Sequence, residues 1–123
     1  MEKKQIIHAV AIGSALVLNL SATAYAAQSG DACTNGTATT VASDASYFVK
    51  NNFTPKCSNN TSVKFAQTAT DFYVKGASSK GMHTYGGSTE GGGVGVCENS
   101  SIANPQSSIS PNTSTVSGFP LGC

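Results

Sequence analysis

The chain has 123 residues with 7 Lys+Arg, 6 Asp+Glu and a formal net charge of +1, and it contains no arginine. With so little charge and no basic cluster it has nothing to offer a phosphate backbone, which sets nucleic acid aside as a partner. Its large apolar side chains are few for a single domain, so burial barely exceeds the entropy of ordering and the fold needs cross-links.

In chain order the first feature is a leader, Met1 to Ala26. Lys3 and Lys4 give a charged start, Ile6 to Leu20 an apolar run broken by His8, Gly13, Ser14 and Asn19, and Ala24-Tyr25-Ala26 a small-residue cut site. The run is shorter than the about 20 apolar residues of a membrane span, so a bacterial-type signal peptide cleaved after Ala26 is expected, with no transmembrane segment left afterwards. The product is expected in the periplasm, on the cell surface or in the medium.

All four cysteines, Cys33, Cys57, Cys97 and Cys123, follow that cut. The distribution suits two disulfides in an oxidising compartment, each worth about 3–4 kcal/mol in the chain-entropy model. Three pairings are open. Similar loop lengths favour Cys33 with Cys57 and Cys97 with Cys123 without deciding the matter. The spacings lack any C-x-x-C or H-x-x-x-H, so neither a metal nor another cofactor is expected.

Ala27 to Asp44 is small and polar. Asn35-Gly36 signals a turn and Thr37 to Val41 a short strand, while Ser43 or Asp44 can instead cap a helical turn. Tyr47-Phe48-Val49-Lys50 and Phe72-Tyr73-Val74-Lys75 repeat one pattern suited to half-buried strands, and Val63-Lys64-Phe65 alternates as another between them. Met82 to Tyr85 reads as a short strand between the Gly-rich stretches 76–81 and 86–93, and Val94 and Val96 as the start of a last one. In 99–123, Pro105, Pro111 and Pro120 rule out a long helix or central strand. That tail is expected as an extended strap tied back by Cys123.

The expected architecture is therefore all-β: a small disulfide-stabilised antiparallel sandwich or partly open barrel of about five strands over 27–98, with the strap over 99–123.

Chemistry-bearing patterns are sparse. Gly76 and Gly81 have phosphate-loop spacing, but Met82 and His83 stand where Lys and Ser or Thr are required. His83 is the one imidazole after the leader and has Asp71, Glu90 and Glu98 as conceivable partners, yet no G-x-S-x-G or S-x-x-K places a nucleophile. The scattered acids do not form a pair fit for glycoside hydrolysis. In strand alternation, Tyr47 and Phe72 belong to aromatic pairs that put one ring on each sheet face, so each pair can display a ring to a sugar or a protein.

Phe53-Thr54-Pro55-Lys56-Cys57, Val63-Lys64-Phe65, Ala77-Ser78-Ser79-Lys80-Gly81 and Tyr85 follow an order that resembles the periplasmic inhibitors of c-type lysozyme, which are small β-barrels. That family's later Trp and Lys-Gly signature has no counterpart here. The resemblance implies Ser79, Lys80 and Tyr85 as contact residues on a loop that enters the target enzyme. Chaperone-assembled pilus subunits are a second comparison, being exported, Thr- and Gly-rich and disulfide-bonded, but Gly122-Cys123 replaces their near-terminal tyrosine.

The reading that follows is a non-enzymatic envelope, surface or extracellular protein that binds a protein or a cell-surface glycan. The alternatives are a small periplasmic module that inhibits an enzyme, and a small secreted hydrolase using His83. Candidate binding residues are Ser79, Lys80, His83, Tyr85, Tyr47 and Phe72; no catalytic residue is assigned.

Overall fold

The computed structural model describes residues 27–123, and the expected leader lies outside the described residues. Six strands form one antiparallel open sheet: β1 Gln28–Thr34, β2 Thr37–Ala38, β3 Thr61–Gln67, β4 Phe72–Ser78, β5 Thr84–Ser88 and β6 Gly95–Val96. The order is β2-β1-β3-β4-β5-β6, so β2 and β6 are the edges and the sheet is not closed into a barrel. The all-β class and both disulfides, Cys33–Cys57 and Cys97–Cys123, are present.

Register assigns the faces, since cross-strand partners point the same way and neighbours along a strand point oppositely. Val63, Phe65, Gln67, Phe72, Val74, Gly76, Tyr85, Gly87 and Val96 share the front face, while Ser62, Lys64, Ala66, Tyr73, Lys75, Ala77, Thr84 and Gly86 share the back. Each face has an irregular cover, and each cover is tied by one disulfide.

The front cover runs from Thr39 to Cys57. Val41, fully buried, forms a bridge with Phe53 and packs with Ala32 and Phe65, and Val49, Val63, Phe72 and Val74 surround that cluster. Phe72 stacks on Phe65 with ring centroids 5.5 Å apart, and Phe48 and Phe53 approach it at 6.5 and 6.4 Å. Such pairs add about 0.5–1.5 kcal/mol each beyond area burial.

Tyr47 to Lys50, expected as a strand, is instead a turn docked on the end of β3. Asp44 nucleates it: its Oδ1 accepts the Ser46 N–H at 2.7 Å and its carbonyl accepts the Tyr47 N–H. The Ser46 amide and hydroxyl hold the Asp44 carboxyl below its ordinary value. The Phe48 N–H goes to the Thr68 carbonyl and the Val49 N–H to Gln67 Oε1, so these groups are satisfied without a ladder partner.

The back cover is the strap. It is not extended throughout: Pro105–Ser108 makes a 3-10 turn that packs on β4 and β5, and Pro105 and Ile109 are buried. The Ile102 N–H reaches the Met82 carbonyl, Gln106 Nε2 the Asn60 carbonyl, and Lys75 Nζ the main-chain oxygen of Cys123. A Cβ built on Gly86 would meet Cys123 Sγ at 2.8 Å and Cys97 Sγ at 2.9 Å, so the second disulfide rests on that glycine.

Several strands differ from expectation in extent: β2 stops at Ala38 and leaves Val41 in an isolated bridge, and β4 runs on through Gly76 to Ser78. β1 starts at Gln28, in a stretch of small polar residues that carries no apolar alternation, and the fifth strand opens at Thr84 rather than Met82 and runs on through Gly86 and Gly87. β1 is recruited by pairing with β3, and β5 is tolerated because its glycines lie under the strap and under Val94.

Gln67 connects these parts. Fully buried, it accepts from Val49 N–H on the front cover and donates through Nε2 to Gln28 Oε1 at the start of β1. Gln67→Met keeps the volume and strands those partners, so it should cost about 1–3 kcal/mol. Equilibrium urea unfolding checks this, and a change near zero would mean that Gln67 is not the junction.

Candidate functional site

The two covers sit on opposite faces and do not span them. Among the described residues, two quadrants of the sheet are left uncovered, and their linings differ in kind.

On the back, beside β1, a cleft of about 330 Å³ is lined by Asp31, Thr34, Asn35, Ser62, Lys64 and Gln106, with Cys33 and Ile109. Lys64 Nζ stands 3.5 Å from Asp31 Oδ1 with both side chains half exposed, a pair worth about 0–1 kcal/mol. Polar and charged side chains share this lining with Cys33 and Ile109.

On the front, across β3, β4 and β5, a groove of about 340 Å³ is lined by Thr61, Val63, Val74, Gly76, Ala77, Ser78 and Tyr85. Gly76 is its floor: a Cβ there would meet Val63 Cγ2 at 2.9 Å and the Ser62 carbonyl at 3.0 Å. Tyr85 forms a wall and is 49% exposed. Its cross-strand partner Val96 and the neighbouring Val94 are exposed as well, extending the apolar surface to the sheet edge. No charged side chain lines this groove, whose polar groups are the hydroxyls of Thr61, Ser78 and Tyr85.

The sequence-derived candidates fall into three groups. Tyr85 belongs to the groove. Ser79 and Lys80 are exposed at the tip of the β4–β5 hairpin, just beyond Ser78, where the Ser79 N–H donates to the Asn60 carbonyl at 2.7 Å and the Gly81 N–H closes the turn on Ser78. Phe72 is not a displayed ring, because Phe48, Phe53 and Phe65 surround it; Tyr47 is half-buried in the turn of the front cover and does not join the groove.

His83 is the third case. Its Nδ1 is buried, has no hydrogen bond among the described residues and lies 3.8 Å from Glu98 Oε2. Of the three acids the sequence offered, Glu98 is the one it meets. Asp71 accepts from the Thr70 hydroxyl, and Glu90 accepts from the Tyr73 hydroxyl. Both Glu98 oxygens are already engaged, Oε2 by the Thr84 N–H at 2.9 Å and Oε1 by the Thr84 hydroxyl. The carboxylate therefore works as an acceptor for a fully buried threonine at the start of β5.

Val63, Val74, Gly76 and Val96 line or extend the groove and were not among the sequence-derived candidates. The signal for them was an isolated glycine following an alternating apolar strand, which marks close approach of another group. Among the described residues, no group of three or more His, Cys, Asp or Glu is placed to hold a metal ion, and no helix is long and apolar enough to cross a membrane. No protein-family model, no curated protein and no solved structure matches this chain.

Glu98→Ala leaves the Thr84 amide and hydroxyl without acceptors and should cost about 1–3 kcal/mol, whereas His83→Ala should stay below about 1 kcal/mol. Paired urea melts decide it. Equal losses would show that the imidazole, not the threonine, is what Glu98 serves.

Proposed function

We propose that this chain is a non-enzymatic protein of the cell envelope or the extracellular space, exported behind its leader, that binds a protein partner through the front groove. The observation that carries this reading is the contrast between the two bare quadrants. One is mixed, with an ion pair and four further polar side chains; the other is predominantly apolar, centred on Tyr85, Val63 and Gly76, and left open among the described residues.

An apolar side chain from a protein fits that lining. A glycan fits it less well, because sugar hydroxyls need the amide and carboxylate groups that the groove lacks and three hydroxyls do not replace. Two disulfides and the absence of a membrane-spanning helix among the described residues are compatible with the expected location.

An enzyme-inhibiting module is a narrower form of the same reading. It is favoured by one hairpin, β4–β5, carrying Ser79 and Lys80 at its tip and Tyr85 on its second strand. The hydrolase alternative has less support, since both oxygens of the acid beside His83 are occupied.

Tyr85→Ala tests the reading. The purified protein should co-sediment with envelopes of the producing cells, and the variant should bind at least about tenfold more weakly, as loss of a central interface tyrosine does. Protease treatment of the envelopes should abolish binding. Undiminished binding by the variant would move the site elsewhere, and binding that survives protease would point to a glycan.

A further inference from the structure

One edge of the sheet is open along part of its length. β1 has seven residues, but β2 pairs only with its last two, Cys33 and Thr34, and the Thr39 N–H takes the Ala32 carbonyl. From Gln28 to Asp31, β1 is bonded to β3 on one side and, among the described residues, to nothing on the other. Half of the main-chain donors and acceptors of that stretch point outward, a template for another strand.

Two of the usual guards against such pairing, lysine and proline, are missing here. Ala27 to Asp31 contains no lysine and no proline, the register shift lies beyond it between Asp31 and Cys33, and the strap stops short, leaving a cleft of about 180 Å³ between Ser29, Gly30 and Asp31 on one side and Ser110 and Pro111 on the other.

We infer that the free edge of β1 pairs antiparallel with the same edge of a second copy, related by a two-fold axis at Ser29. Bonded and non-bonded pairs alternate along an antiparallel ladder, so a two-fold pairing must set one residue opposite itself. Centred on Ser29, it places Gln28 opposite Gly30 and Ala27 opposite Asp31 of the second copy, and it fills the open stretch up to Ala32, whose carbonyl is taken. Centred on Gly30, it would run Ala27 into Cys33, which already pairs with β2.

The charges and sizes favour self-pairing over an unrelated strand. The one charged residue of the edge, Asp31, is neutralised by Lys64 of its own chain and faces an alanine, so no like charges meet. The side chains at the centre are serine and glycine, which let two backbones approach. The pairing goes beyond the partner site proposed above, which lies on the other side of the sheet, toward β5 and β6.

Sedimentation equilibrium of the purified, oxidised protein should show a reversible dimer. Ser29→Lys sets two ammonium groups face to face and should weaken the dimer at least tenfold, with the far-ultraviolet circular dichroism unchanged because Ser29 is exposed. Ser29→Cys should cross-link to itself under mild oxidation at least tenfold faster than a cysteine at exposed Thr115. A monomer throughout the soluble concentration range, a dimer indifferent to Ser29→Lys, or cross-linking no faster than at Thr115 would overturn the inference.

Discussion

A single open sheet has two faces to cover and, in this chain, too few apolar residues to hold covers on either by packing alone. The constraint is met covalently. Cys33–Cys57 ties the 39–57 segment over the front, and Cys97–Cys123 ties the strap over the back, with Cα separations of 5.8 and 5.1 Å. Each bond closes a loop of similar length, 24 and 26 residues apart in sequence, so each restricts the unfolded chain by a comparable amount.

The placement of the ties decides what stays bare. The front cover lies over β1 and β3 and brings Phe48 and Phe53 to Phe72, which stacks on Phe65; the back cover lies over β4 and β5. The uncovered quadrants are thus diagonal, mixed behind β1 and predominantly apolar in front of β4 and β5. The same geometry exposes Tyr85 to a partner and leaves the β1 edge unguarded, so the two contact surfaces lie toward opposite ends of the sheet.

The all-β class was legible because the alternation Val63-Lys64-Phe65 and the aromatic and β-branched composition of Phe72-Tyr73-Val74 both suit a strand. The cysteine spacing favoured the pairing that the structure has, although it could not decide it. Tyr47 to Lys50 misled for a physical reason: its composition suits a strand, but the Asp44 and Thr68 carbonyls and the side-chain oxygen of buried Gln67 take its N–H groups. β1 was illegible because Gln-Ser-Gly-Asp carries no pattern and is ordered by its neighbour. The groove was only half legible, since Tyr85 is visible as an aromatic in a Gly-rich stretch, while Val63, Val74 and Val96 become a surface only through register.

Each disulfide holds one cover on one face. Hydrogen exchange of two variants at low temperature, Cys33→Ala with Cys57→Ala and Cys97→Ala with Cys123→Ala, measures this directly. The first should lose protection at the Val41, Phe48, Val49 and Phe53 amides while the Ile102 and Cys97 amides stay protected, and the second should do the reverse. Loss of protection on both faces whichever pair is removed, or on neither, would contradict it.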